Sequence, residues 1–209
     1  MSSRRFPGKV LAPFRGIPVL EHVLRAAEIA VGPAATVLAT STDPSDDPLE
    51  DFARTRGTRV VRGDLQNVLA RFQQAARDCD SEWILRVGAD SPLLSAAVLR
   101  RLIAAAGNDQ WELITTTFPR TFPKGQNAEL IRRSTLLSVD ASCVTNEEGE
   151  HVTQYFYRRA GDYRILNVVS HNPALALETL AVDTPEDLAR LEAMNQTQLA
   201  RVSSEYGAG

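Results

Sequence analysis

Four short apolar runs, each set between segments of helical period, limit what this chain can fold into. The runs are Ala35–Thr40, Thr58–Val61, Trp83–Val87 and Glu112–Thr116. The segments between them repeat their apolar residues every three to four positions. Val19, Leu20, Val23, Leu24, Ala27 and Ala30 mark a helix over 18–30, and Val68, Leu69, Phe72, Ala75 and Ala76 mark another. Further helices are expected over about 46–56 and over 95–106. Strands alternating with helices at this spacing predict βαβ units and a largely parallel α/β sheet flanked by helices. His22, inside the first helix beside Glu21, reads as a helix-surface histidine rather than a ligand.

The rhythm breaks after residue 116. Arg120-Thr121-Phe122-Pro123-Lys124-Gly125-Gln126-Asn127 is a loop of polar and turn-forming residues. A short strand over 128–131, a helix over 133–141 and a turn at Asn146–Gly149 follow. Glu150-His151-Val152-Thr153 then opens a helix carrying Tyr155, Phe156 and Tyr157. Residues 120–160 thus break the rhythm within one domain spanning 1–203, and the aromatic cluster reads as packing against the main body or a second subunit. Strands are expected at Tyr163–Val169 and Ala174–Val182. Thr184-Pro185-Glu186-Asp187 has the N-cap, first-turn proline and acids of a helix start, and residues 204–209 read as a disordered tail.

A formal net charge of −3 argues against a protein that coats nucleic acid, while allowing a local basic pocket. No apolar run approaches the roughly 20 residues of a membrane span. Pro7, Gly8 and Lys9 interrupt any signal-peptide core, so a cytoplasmic location is the expectation. Cys79 and Cys143 show no metal-ligand or redox spacing and read as reduced thiols.

Two places could carry chemistry. The first eleven residues place three cations and two hydroxyls around a Pro-Gly turn. Such a turn frees backbone amides and, with Arg and Lys beside it, suits a polyphosphate; a frayed basic terminus has the same composition. Asp90 and Asp183 each follow an apolar run, in Leu85-Arg86-Val87-Gly88-Ala89-Asp90 and Leu180-Ala181-Val182-Asp183. Two carboxylates at one sheet edge suit Mg²⁺, which takes few protein oxygens. A turn former before Pro92 and a helix cap are the alternative roles.

Five segments in order resemble the bacterial cytidylyltransferases of the spore-coat polysaccharide biosynthesis protein F type, relatives of the CMP-Kdo and acylneuraminate (CMP-sialic acid) synthetases. Met1-Ser2-Ser3-Arg4-Arg5-Phe6-Pro7-Gly8-Lys9-Val10-Leu11 resembles R-M-G-S-x-R-L-P-G-K-V-L. Arg86–Leu93 resembles R-x-x-G-D-x-P-L, and Arg120–Gln126 an R-T-F-P-K-G-Q segment. Glu150–Thr153 and Val182–Leu188 match E-H-V-T and V-D-T-P-E-D-L.

The resemblance implies a Rossmann-like, GT-A-like nucleotidyltransferase fold with a small dimerisation lobe, and a homodimer. It implies Mg²⁺-dependent transfer of CMP from CTP to an anionic acceptor, usually a sugar acid, in surface polysaccharide or specialised metabolite biosynthesis. By matching position, Ser3, Arg5, Lys9 and Arg86 would hold the nucleotide, and Asp90 and Asp183 the metal. Arg120, Lys124, Gln126, Glu129 and His151 would face the acceptor. A phosphonate or phosphate acceptor is the enzymatic alternative, and a non-catalytic nucleotide-binding homologue the alternative from another class. The family's motif normally follows a first strand ending in a Q-A-R-like triplet, whereas this sequence starts at the motif's methionine. A sheet without that strand is therefore expected, from a start taken at an internal methionine or from a shortened homologue. Ser2 and Ala89 stand where the family has glycine, and Asn127 where it has Ser or Asp.

Overall fold

The computed structural model describes residues 5–107 and 110–207. A two-residue hairpin opens it, β1 (Pro13–Phe14) against β2 (Ile17–Pro18). Its turn is Arg15-Gly16, both at positive φ (50° and 84°), which matches the twist a tight hairpin requires. Helix α1 (Val19–Val31) follows, with Val19, Leu20, Val23 and Leu24 buried as the period predicts. His22 Nε2 donates to the Phe14 carbonyl oxygen at 2.9 Å, and the ring meets the Phe14 ring edge-on, a packing role.

The next elements keep the expected order: β3 (Val37–Ser41), α2 (Asp47–Arg56), β4 (Arg59–Gly63), α3 (Val68–Arg77), β5 (Trp83–Val87), α4 (Ala96–Ala105) and β6 (Leu113–Thr115). Then come β7 (Ala128–Arg132), α5 (Arg133–Ser138), α6 (Asn146–Glu150), α7 (Gln154–Arg158), β8 (Ile165–Asn167), α8 (Pro185–Glu192) and α9 (Gln196–Gly207).

Strand pairing is more mixed than the sequence suggests. β3 and β4 are parallel, and so are β6 and β8, but β7 runs antiparallel to both β5 and β6. The larger sheet has the order β5-β7-β6-β8, and β3-β4 forms a separate pair. Inserting β7 between β5 and β6 is what the broken rhythm after residue 116 encodes.

One core packs α1, α4 and the 180–182 segment against one sheet face, around Phe14, Leu99 and Val182. A second packs α3, α5 and α7 on the other face, around Leu69, Ile131 and Phe156. Among the described residues no helix is long and apolar enough to cross a membrane.

Several expectations need correction. Asn146–Glu150 is a helix, not a turn, because Thr145 and Glu148 form a reciprocal capping box. The aromatic helix starts at Gln154, and His151 ends α6. Residues 174–182 form no strand: Pro173–Leu177 is a 3-10 turn, and a single bridge joins Thr179 to Lys124. Phe156 is fully buried, with Tyr155 and Tyr163 edge-on around it, so this aromatic cluster is lobe core rather than an exposed interface. Residues 204–207 continue helix α9 instead of forming a tail.

Candidate active site

Three segments are stitched together where β5 ends. The Val182 amide donates to the Asp90 carbonyl at 2.8 Å, and the Leu180 amide to the Lys124 carbonyl at 2.6 Å. The Lys124 amide donates in turn to the Glu178 carbonyl at 3.0 Å. Gly125 makes this contact possible: its φ is +104°, and a Cβ there would stand 2.7 Å from the Leu180 carbonyl carbon. No other residue permits so close an approach of two backbones. The seam carries the side chains of Asp90, Lys124 and Asp183 to one place.

The fourth contributor is the N-terminal loop. Lys9, Leu11 and Ala12 amides bond back to Phe6, Gly8 and Lys9 carbonyls, a run of tight turns with Gly8 at φ 75°. Val10 and Leu11 pack beside Leu20, Leu24, Leu38 and Ala89, anchoring the loop against α1 and the β5 exit. The Lys9 side chain, only 14% exposed, reaches between the two carboxylates. Its Nζ lies 2.7 Å from Asp90 Oδ2 and 3.0 Å from Asp183 Oδ1. Lys124 Nζ bonds the other Asp183 oxygen, and Arg5 Nη2 stands 3.6 Å from Asp183 Oδ1.

This geometry separates the two roles open to each aspartate. Asp183 does not cap α8; Thr184 does, in a capping box with Asp187. The Asp183 carboxylate is therefore free to meet cations. Burial alone would raise its pKa, but hydrogen bonds and charge from Lys124 and Lys9 outweigh that and hold it down to about 2. For Lys9, burial favours the neutral amine, yet Asp90 and Asp183 more than compensate and its pKa is raised.

A cation site is implied by the same contacts. Both carboxylates already converge on one positive charge, the Lys9 ammonium, so the donor set suits a cation between them. No cluster of three or more His, Cys, Asp or Glu side chains with metal-binding geometry occurs among the described residues. A metal here would complete its shell from water and phosphate oxygens, the habit of Mg²⁺.

The remaining expected site residues divide. Ser3 lies outside the described residues. Arg86 is not in the cluster; its guanidinium bonds Glu129 across the β5–β7 pair at 2.8 Å and lies over the Phe72 ring. Glu129 is buried and also accepts from the Thr153 hydroxyl. Gln126 is fully buried: its Oε1 accepts from the Ser95 amide and its Nε2 donates to the Leu93 carbonyl. It braces the loop after Asp90 and does not face solvent. Arg120 is exposed and donates to Asn127 Oδ1, and His151 is exposed at the end of α6.

Sequence reasoning missed a hydroxyl-rich corner near Glu129. The Tyr157 hydroxyl lies 2.7 Å from Thr115 Oγ1 and 3.0 Å from Thr117 Oγ1. Its ring stacks on Phe118 at 4.6 Å, and burial with the nearby Glu129 charge raises its pKa. The run Thr115-Thr116-Thr117 and the loop at 118 were visible, but nothing local tied them to Tyr157.

The sequence and the fold have counterparts among known proteins. Spore coat polysaccharide biosynthesis protein SpsF of Bacillus subtilis is 29% identical over 205 residues, covering 94% of this chain and 83% of that protein. A solved cytidylyltransferase structure from Leptospira borgpetersenii superposes with a TM-score of 0.87 at 24% identity, over 97% of this chain and 88% of that one. CMP:2-keto-3-deoxy-manno-octonic acid synthetase complexed with CTP shares the fold at a TM-score of 0.65 and 18% identity, over 92% and 93% of the two chains. The family model described as Cytidylyltransferase matches residues 1–205, which takes in the N-terminal turn, the β5 exit and the Asp183 segment alike, and the chain belongs to that cytidylyltransferase family.

Proposed function

We propose that this chain transfers CMP from CTP to the hydroxyl of a sugar acid, with release of pyrophosphate. The convergence of Asp90, Asp183, Lys9, Lys124 and Arg5 at one sheet edge carries the reading. An acceptor oxygen attacks the α-phosphorus, the α–β bridging bond breaks, pyrophosphate leaves, and the acceptor proton goes to solvent or to a leaving phosphate oxygen. When bound between Asp90 and Asp183, a divalent cation such as Mg²⁺ offsets charge on the phosphate oxygens. The chain supplies the rest. Lys9 and Arg5 hold the triphosphate in line, and the seam keeps the carboxylates fixed before substrate arrives.

The acceptor side is read from what borders the cluster. Lys124, about half exposed, would meet an acceptor carboxylate, while its ion-pair partner Asp183 would help hold the divalent cation. Arg120 lies on the same loop. The SpsF and CMP-2-keto-3-deoxy-manno-octonic acid synthetase likenesses support a polysaccharide role and a sugar-acid acceptor. A pyrophosphate-release screen of four nucleoside triphosphates against sugar acids and phosphonates tests it. CTP with a sugar acid is expected to give the fastest release. Turnover with a phosphonate alone moves the acceptor class, and no release with any pair removes the reading.

A homodimer is the proposed assembly, through the exposed apolar side chains of Phe118, Val169 and Leu177 beside the lobe. Light scattering at micromolar concentration is expected to give twice the 22.9 kDa chain mass, and a monomeric mass counts against it.

A further inference from the structure

Gln126 stands two residues from the half-exposed Lys124, yet it is wholly buried and both ends of its side-chain amide are used. The Ser95 amide donates to its Oε1 at 2.9 Å, and its Nε2 donates to the Leu93 carbonyl at 2.6 Å. A backbone N–H can only donate and a carbonyl can only accept, so these partners fix which way the amide faces. A side chain that fits here must offer one acceptor and one donor together. A hydrocarbon of the same length offers neither and leaves two buried backbone groups unpaired.

The segment so held is the one that carries Asp90. Ser91–Ser95 joins Asp90 to α4, which is fixed by the fully buried Val98, Leu99 and Leu102. At the other end the Val182 amide holds the Asp90 carbonyl. Between them the Leu94 amide closes a turn onto the Ser91 carbonyl at 3.0 Å. One bond at Asp90 acts as a hinge about which this turn can swing. A grip at Leu93 and Ser95 stops the swing.

Gln126 is itself tied down. Its backbone amide donates to the Pro123 carbonyl at 3.1 Å, and its carbonyl accepts from the hydroxyl of the buried Thr116, the residue after β6, at 2.9 Å. Lys124, in the same turn, exchanges backbone bonds with Glu178 and Leu180 and bonds Asp183 through its side chain. Asp90 and Asp183 are thus set relative to one another by two routes, one through Val182 and one through Gln126. Their separation matters because Lys9 Nζ, 2.7 Å from one carboxylate and 3.0 Å from the other, marks a point that only these two share. Mg²⁺ holds its oxygens at about 2.1 Å with little angular tolerance, so a swing of roughly 0.5 Å takes a carboxylate out of its shell.

We infer that Gln126 is a positioning residue for the metal site: its buried amide clamps the Asp90 turn to the Lys124–Asp183 turn and so sets the separation of the two carboxylates. Gln126 itself touches neither substrate nor metal. The inference rests on the cation site of the proposed reaction, and its test separates the two.

Helix α3 supplies a matched control. Gln73 is also buried, and its Nε2 donates to the Leu136 and Val139 carbonyls on the opposite sheet face. Mn²⁺ alone is titrated into the whole chain, and free Mn²⁺ is read by electron paramagnetic resonance. Gln126→Met, apolar and close in length, is expected to bind Mn²⁺ roughly tenfold more weakly than the parent, or worse. Gln126→Asn keeps an amide but is one methylene too short to reach both partners. It should shift the affinity the same way while disturbing the fold less. Gln73→Met should lose as much Tm as Gln126→Met and still bind Mn²⁺ within about twofold of the parent. Parental Mn²⁺ affinity in both Gln126 variants would overturn the inference and leave the metal site standing. An equal loss of affinity in Gln73→Met would overturn it too, since any buried amide would then serve. If the parent itself binds no Mn²⁺, or Asp183→Asn binds it as tightly as the parent, the metal reading falls and the inference falls with it.

Discussion

Asp183→Asn is expected to lower turnover by at least ~10²-fold while leaving the apparent affinity for CTP equal or tighter. The asymmetry follows from the charges. Two carboxylates face Lys9, Lys124 and Arg5 in the free protein. Removing one carboxylate leaves the phosphate-binding cations in place and makes the pocket more positive, so ground-state attraction for a triphosphate does not fall. What is lost is the charge that keeps a divalent cation at the reacting phosphate. A residue serving only to hold the fold would move KM and stability together, without this split.

The same variant should be less stable. A carboxyl held at about 2 against an ordinary 3.8 contributes about 2 kcal/mol through its ion pairs. Its folded pKa is depressed, so that stability is present above about pH 4 and is lost as pH falls through about 2. Asp183→Asn should therefore show a flatter loss of stability between pH 4 and 2 than the parent. Asp90→Asn should fall to similar turnover, and the double variant little further, because either change disables one shared cation site. Full activity in Asp183→Asn, or losses that multiply in the double variant, would separate the two aspartates.

Much of this was legible because it is local. The strand–helix rhythm, the Thr184-Pro185 helix start and the burial of the 18–30 helix face depend on nearby residues; α1 and α3 formed where their periods put them and α8 starts where its cap put it, but the single last helix expected to run on through Leu199 and Val202 is split into α8 and α9. Thr145-Asn146-Glu147-Glu148 carried a capping-box spacing too, and the α6 it starts could have been read. What could not be read was pairing across distance. Nothing in 128–132 announces that it runs antiparallel between β5 and β6, because a buried run has no preferred partner written in it. Gln126 looked like a ligand in a polar loop and is buried because two backbone groups, Ser95 N and Leu93 O, close over it. Arg86 was grouped with the nucleotide by its place in a motif. Its position on β5 points it at Glu129, on the face opposite Leu85.

Lys9→Ala should be the most revealing single change, because the ammonium has two alternative partners. With no substrate it sits between Asp90 and Asp183 and is 14% exposed. With a triphosphate and a divalent cation present, one site cannot hold both the ammonium and the metal, so Lys9 would turn to phosphate oxygen. Loss of a charge-assisted contact of about 1.5–3 kcal/mol predicts at least a tenfold weaker CTP affinity. The free protein should also melt lower, since two carboxylates face each other without the cation that separates them. Because the Lys9 pKa is raised above its ordinary 10.5, that stability is fully present below 10.5 and lost only as pH rises through the raised value. The parent should lose stability there and Lys9→Ala should not. Divalent cation without nucleotide provides the sharper reading. In the parent it must displace an ammonium; in Lys9→Ala the two carboxylates stand open to it. Added Mg²⁺ or Mn²⁺ should therefore raise the Tm of Lys9→Ala more than that of the parent, while CTP raises it less. If metal stabilises both proteins equally and CTP binds Lys9→Ala as tightly as the parent, then Lys9 is a structural tie between two loops and takes no part in handling the phosphates.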